Sequence, residues 1–317
     1  MIVKFWGVRG STPTPLSPAE FQVKIKKLLT LSNKVDLSND EKVDNFLNNL
    51  PLSIRSIYGG NTPCVSVEAD DTFIILDMGS GARPLGNELM QKPHYQNGGT
   101  FHVFLSHTHW DHIQGLPFFS PIYNPKFKLI FYSPFADIKQ RLAFQQQEAF
   151  FPAKLEDIPC EKEFRIIKDQ KIINIDDNLK VEWKRMVHPG DSFSYKITHN
   201  NKSMVYATDA EFYKIDEAFM EEVSHLWKGA ELLIFDAQYT PEEYINKISW
   251  GHSSTIMSVD IALQSESKRL VLFHHEPAYS DELIENTLSR AEEYLATIAP
   301  DSSLKIIPAY EGLVFEI

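Results

Sequence analysis

Apolar and polar positions alternate in short runs along most of this chain. The alternation predicts strands over residues 2–8, 64–69, 73–77, 102–106, 129–133, 180–187, 193–198, 204–208, 232–236, 270–273 and 314–317. Apolar positions recurring at helical spacing predict helices over 137–150, 210–227, 254–265 and 281–298. The first half is strand-rich, and strands then alternate with helices. That order predicts two sheets packed face to face with helices outside, not a single parallel sheet. No internal repeat or low-complexity tract interrupts it, so one domain over residues 1–317 is expected.

Residues 17–50 break the pattern. Ser17-Pro18-Ala19-Glu20 reads as a capping box with proline at the first helical position, followed by Phe21, Ile25, Leu28 and Leu29 at helical spacing. Ser38-Asn39-Asp40-Glu41 reads as a second capping box, followed by Val43, Phe46, Leu47 and Leu50, with Pro51 as the stop. A helical hairpin inserted between the first two strands is therefore predicted. Its expected role is to cover a sheet edge, with a lid or a homodimer contact as alternatives. Lys24, Lys26 and Lys27 read as a solvated helix face.

Composition narrows the function. Of 317 residues, 43% are hydrophobic and 23% charged, as in ordinary globular proteins. The net charge of −12 disfavours extended tracking along nucleic acid, which needs a basic surface. Two cysteines far apart, Cys64 and Cys160, make no disulfide framework and fit a reducing compartment. The first residues read as a strand, not a signal peptide, and no stretch approaches the roughly 18 apolar residues of a membrane span. A cytoplasmic protein without membrane contact is the expectation.

The candidate chemistry lies in His107-Thr108-His109-Trp110-Asp111-His112, directly after a predicted strand. Three imidazoles and a carboxylate in six residues suit zinc and its first-row neighbours. Alternation along an extended chain lets His107, His109 and Asp111 point the same way, while His112 comes from a chain already turning. That arrangement can feed two ions from one loop. His188, Asp209 and His274 each end a predicted strand, where a side chain can emerge into a shared cleft.

In order and type these residues resemble the ligands of the metallo-β-lactamase superfamily. The chain is most similar to its phosphodiesterase branch, which includes phosphoribosyl cyclic phosphodiesterases and tRNA 3′-processing endonucleases. Supporting phrases are Phe5-Trp6-Gly7-Val8-Arg9-Gly10-Ser11, Tyr58-Gly59-Gly60-Asn61-Thr62, Leu76-Asp77-x-Gly79-x-Gly81, Gly251-His252-Ser253 and Glu311-Gly312. The resemblance spans nearly all of the chain outside residues 17–50. It implies a four-layer αβ/βα sandwich of the α/β (α+β) class, holding two divalent ions. By the same resemblance His107, His109 and His188 hold one ion, Asp111, His112 and His274 the other, and Asp209 bridges. Asp209 is the only acid among the three later positions, which suits a bridge. The pattern favours His274 over its neighbour His275, and makes Asp77 the acceptor that orients a ligand histidine. Zinc is the default ion, with manganese or iron as alternatives.

Two nearby cations can lower the pKa of a shared water to near neutrality, giving a bridging hydroxide that attacks phosphodiesters or carbonyls alike. Gly251-His252-Ser253 bears on that choice. It precedes a predicted helix, where His252 can hand a proton to a leaving alkoxide and Ser253 can lie beside a phosphate. Arg9 and Asn61, in glycine-bearing turns, are further candidate phosphate contacts. Only one predicted hairpin separates His188 from Asp209, where tRNA-processing members with a flexible substrate arm carry it. The reading is thus hydrolysis of a small phosphodiester, cyclic or nucleotide-like, with Asp111 and His252 catalytic. A carbonyl hydrolase acting on a lactone, thioester or β-lactam, an RNA-end nuclease and a non-catalytic nucleotide sensor are the alternatives.

Overall fold

The computed structural model describes residues 1–212 and 217–317. Fourteen strands lie among them: β1 Ile2–Gly7, β2 Cys64–Ala69, β3 Thr72–Leu76, β4 Gly99–Phe104, β5 Phe127–Ser133, β6 Glu161–Ile166, β7 Ile172–Asn174, β8 Leu179–Met186, β9 Ser192–His199, β10 Lys202–Ala207, β11 Leu232–Asp236, β12 Arg269–Phe273, β13 Lys305–Pro308 and β14 Val314–Glu316. They form two seven-stranded sheets, ordered β14-β1-β2-β3-β4-β5-β6 and β13-β12-β11-β10-β9-β8-β7. In the first, β3 to β6 run parallel. In the second, β10 to β13 run parallel.

Strand alternation builds the layers. Ile74, Leu76 and Phe104 of the first sheet face Tyr206, Ile234, Val271 and Phe273 of the second in one buried core. The intervening Phe73, Ile75, Phe101 and Val103 turn outward under α4 (Ala82–Gln91) and α6 (Ile138–Gln145), through Leu85, Leu89, Ile138 and Leu142. Likewise Val205, Leu233, Phe235 and Leu272 turn outward under α7 (Glu217–Trp227), α9 (Thr255–Gln264) and α10 (Asp281–Ile298). The result is the expected αβ/βα sandwich.

The insertion forms α1 (Pro18–Leu31) and α2 (Asp40–Asn48), followed by the single turn α3 (Leu52–Arg55). Ser17 and Glu20 make the capping box. The second cap falls one residue later than expected, because Asn39, not Ser38, accepts from the Lys42 N–H. Neither α1 nor α2 buries a residue. Lys24 is not simply solvated: its ammonium pairs with Asp281 at 2.6 Å. The helix expected over 210–227 begins at Glu217; Ala210 to Phe212 are not helical, and residues 213–216 lie outside the described residues.

Candidate metal centre

The parallel strands of both sheets end at one cleft. Asp77 follows β3, Ser106 and the histidine-rich loop follow β4, and Asp209, Asp236 and His274 sit at the ends of β10, β11 and β12. His188 comes two residues after β8. Strand ends at the carboxyl edge of an open sheet leave side chains free of the ladder, facing a crevice. Asp77, Asp209 and His274 also have φ of 61°, 52° and 62°. Residues held in the left-handed region cost about 1–3 kcal/mol each and concentrate at functional sites. Backbone approach is close as well. A Cβ on Gly10 would lie 2.5 Å from the His274 ring, and one on Gly251, at φ 89°, would lie 2.3 Å from His188 Nδ1.

The seven predicted ligands come together. His107, His109 and His188 present atoms within 4.8 Å of one another, as do Asp111, His112 and His274. His188 Nε2 is 3.1 Å from His109 Nδ1. Asp111 Oδ2 is 3.2 Å from both His112 Nε2 and His274 Nε2. Ligands held about 2.0–2.1 Å from a tetrahedral zinc are about 3.3–3.4 Å apart, so these spacings fit. Asp209 divides between the groups. Its Oδ1 is 3.7 Å from His107 Nε2 and 3.8 Å from His188 Nε2. Its Oδ2 is 3.2 Å from His112 Nε2 and 3.3 Å from His274 Nε2.

Asp111 does not share the extended stretch with His107 and His109. It lies with His112 on the helical turn α5 (Trp110–Ile113), and His109 is the last extended residue before it. The change of backbone sends one pair of ligands to each group.

The donor chemistry fits cations. His107 Nε2 and His112 Nε2 are buried without a hydrogen-bond partner, an expensive state unless something else takes the lone pair. Burial, reinforced by nearby His112, pushes the His107 pKa well below its usual value, which keeps its ring neutral and its lone pair free for an ion. His109 and His188 shift the same way, also through burial. Burial works against charge on His112 too, but Asp111, Asp209 and Asp77 outweigh it and drive its pKa well up. Three carboxylates thus demand positive charge at this point, which divalent ions meet directly.

Hydrogen bonds outside the cluster set the rings. His112 Nδ1 is 2.8 Å from Asp77 Oδ2. Asp77, fully buried, also accepts from Ser106 N–H, Ser106 Oγ and Tyr206 OH at 2.7–2.8 Å. His188 Nδ1 faces the Gly251 carbonyl at 2.8 Å, and His274 Nδ1 faces Gln238 Oε1 at 3.0 Å. Ser11 N–H donates to Asp111 Oδ2 at 2.8 Å. His275 points elsewhere, with Nε2 2.9 Å from the Ala309 carbonyl.

His252 lines the cleft beside the ligands, stacked on His274 with ring centroids 4.9 Å apart. Its Nδ1 is 2.8 Å from Asp236 Oδ2. That commitment removes Nδ1 from metal binding, although it lies 3.8 Å from Asp209 Oδ1. Burial opposes the charged imidazolium, but Asp236, by charge and hydrogen bond, and then Asp209 and Asp111 raise its pKa to about 9. His252 does not cap the following helix. Ser254 caps α9 instead. Asp236 is a functional candidate absent from the sequence reading. Its signal is an apolar strand closed by aspartate, the same signal that marks Asp77. Glu211, another, anchors the His252 loop by accepting from Ser249 and Gly251 N–H at 2.7 and 2.9 Å.

Three expected substrate contacts are corrected. Arg9 is buried, and its guanidinium donates to the carbonyls of Gly59, Glu276 and Tyr279 and to Asp281, so it staples loops behind the site. Asn61 donates to Glu311 Oε2 at 3.0 Å and accepts from Ser80 Oγ at 3.0 Å, which commits its amide to the turn. Ser253 is fully buried and donates to the Ala210 carbonyl. The cleft, about 410 Å³, is lined instead by Ser11, Thr108, His109, Trp110, Asp111, Asp209, His252 and His274.

With this geometry, residues 74–275 match the family described as the Beta-lactamase superfamily domain. A ribonuclease Z from Prochlorococcus marinus (strain MIT 9515) is 23% identical over 261 residues, covering 65% of this chain and 79% of its own. One from Bacillus mycoides (strain KBAB4) is 22% identical over 252 residues, covering 65% and 80%. Among solved structures, the metallo-β-lactamase fold protein YhfI from Bacillus subtilis aligns with a TM-score of 0.63 at 16% identity, covering 100% of this chain and 98% of that one. Human tRNase Z, short form, aligns at 0.60 and 15% identity, covering 100% and 99%. A diphosphatase from the PhnP family aligns at 0.60 and 18% identity, covering 100% and 97%. At such identities the structural likenesses establish the fold.

Proposed function

The chain belongs to the β-lactamase superfamily, and from that premise we propose that it hydrolyses a small phosphodiester, cyclic or nucleotide-like, with two divalent ions as cofactors. The observation that carries this reading is the Asp236–His252 pair placed beside a carboxylate, Asp209, that faces two ligand groups at once. Relatives named ribonuclease Z give the phosphoester reading support from a second direction.

His107, His109 and His188 would hold one ion, Asp111, His112 and His274 the other, with Asp209 between them. Zinc suits the donors best, and manganese and iron accept the same set. Such a pair of ions lowers the pKa of a water nucleophile and offsets charge developing on the phosphoryl oxygens. The protein's own residues do the rest. Asp236 fixes His252 through Nδ1, leaving Nε2 on the far edge of the ring to hand a proton to the departing alkoxide. Ser11 N–H holds Asp111 in place, and Gln238 Oε1 orients the His274 ring through Nδ1. A lactone or thioester carbonyl leaves less for that proton donor to do.

The interval between His188 and Asp209 holds only the β9–β10 hairpin, and no lysine or arginine lines the cleft. Both favour a small substrate over an RNA end. No helix among the described residues is long and apolar enough to cross a membrane. The test is a substrate panel on metal-loaded protein: bis(p-nitrophenyl) phosphate, 2′,3′- and 3′,5′-cyclic nucleotides, phosphoribosyl cyclic phosphate, a chromogenic cephalosporin and a lactone. Turnover of the phosphodiesters supports the reading. Cleavage of the carbonyl compounds alone overturns it.

A further inference from the structure

Trp110 stands between two metal-binding residues, yet the fold makes no use of its side chain. Asp111, His112 and Ile113 of the same turn are buried, while the Trp110 indole is 83% exposed and lines the cleft. Among the described residues the indole N–H has no hydrogen-bond acceptor and the ring has no aromatic or cationic partner. A polar residue would serve the first position of this turn equally well, and exposing so large an apolar ring in water is unfavourable.

The rest of the cleft sharpens the point. Its polar groups are the candidate metal ligands, Ser11, Thr108 and His252, and no lysine or arginine is among them. Arg141 reaches Thr108 Oγ1 from behind, but its Nε is paired with Asp137 and its guanidinium lies over the Phe135 ring. A second phosphate on the substrate, reaching beyond the ions and His252, would therefore meet no lysine or arginine. What the cleft offers beyond the reacting centre is one flat apolar face.

We propose that Trp110 is a specificity-determining residue. Its indole receives a planar unsaturated ring carried next to the scissile phosphodiester, so that the substrate class is a singly phosphorylated nucleoside phosphodiester. This rests on the phosphodiesterase reading above. Stacking is tolerant of which base is presented, because every base has a π-face. The selectivity is then for a base as such, with little preference among bases.

Two measurements test this. The first needs no turnover. Indole fluorescence of metal-loaded protein is titrated with adenosine 3′-monophosphate and with ribose 5-phosphate. Saturable quenching by the nucleotide alone, lost in Trp110→Phe, supports the proposal; quenching that survives Trp110→Phe, or none at all, overturns it. The second compares 2′,3′-cyclic adenosine monophosphate with its base-free methyl riboside analogue. Trp110→Ala should raise KM about 5- to 150-fold for the base-bearing substrate only, with kcat nearly unchanged and Trp110→Phe close to the unsubstituted protein. Equal changes for both substrates overturn the proposal. If neither phosphodiester is turned over, the phosphodiesterase reading fails, and the fluorescence titration still decides the role of Trp110.

Discussion

Asp77→Asn is the substitution whose effect the structure specifies most closely. Asp77 Oδ1 accepts from the Ser106 backbone N–H at 2.7 Å, while Oδ2 is shared by Ser106 Oγ, Tyr206 OH and His112 Nδ1. The two hydroxyls can rotate to become acceptors, but the backbone N–H cannot. An asparagine must place its NH2 at one position or the other. Facing Ser106 N–H, it opposes a fixed donor. Facing His112, it forces the imidazole proton onto Nε2, the atom that has to bind the ion. Losing one hydrogen bond to a charged acceptor removes about 1.5–3 kcal/mol, and a buried donor left unpaired adds about 1–3 kcal/mol. A combined loss of about 2.5–6 kcal/mol is tolerable in a stable domain, so the variant should fold with a lowered urea midpoint. Ion affinity should fall about 10- to 100-fold. The loss should fall on the ion held with His112, not on the one held by His107, His109 and His188. Zinc titration against a chromogenic chelator, resolved into two steps, reads this directly. Two unchanged affinities in Asp77→Asn would refute the tautomer argument.

Further outcomes follow from other parts of the molecule. His252→Ala and Asp236→Asn should each retain two ions by elemental analysis, while His252→Ala loses about 10²–10⁴-fold in phosphodiester kcat; loss of metal instead would make His252 a ligand. Burial first, and then Arg165, hold the His102 pKa down to about 4. Between that value and the ordinary 6.5 the unfolded chain binds the extra proton, so this contribution to stability is full above pH 6.5 and shrinks as pH falls toward 4. His102→Gln should therefore flatten the acid side of the stability profile in urea melts, and an unchanged slope would exclude the effect. Finally, α1 exposes Phe21, Val23, Ile25 and Leu29 while burying nothing. Light scattering should find a homodimer that Phe21→Glu with Leu29→Glu dissociates, and a monomeric unsubstituted chain would remove that role for the insertion.

The candidate metal centre was legible in the sequence because its residue types are rare outside such sites and four of its seven residues fall within six consecutive positions. The two sheets were legible wherever a strand is apolar on both faces, as in β3 and β12. Strand β6, Glu-Lys-Glu-Phe-Arg-Ile, was missed because it is an edge strand whose charges, such as Glu163 with Lys128 and Arg165, guard the open side. Helix α4 was missed because Pro84 and Gly86 mask its apolar stripe. The errors over Arg9, Asn61 and Ser253 share a cause. A turn can be placed near a cleft from its neighbours, but which way its side chain points depends on partners far away in sequence, such as Asp281 for Arg9 and Glu311 for Asn61. The same long-range dependence hid Asp236 until His252 was seen beside it.

Anomalous diffraction at the zinc edge, on crystals of metal-loaded protein, bears most directly on the centre itself. Two peaks should flank the Asp209 carboxylate, one enclosed by His107, His109 and His188 and the other by Asp111, His112 and His274. A single peak remote from Asp209, or none in fully loaded material, would contradict the assembly of these seven side chains into a dinuclear site.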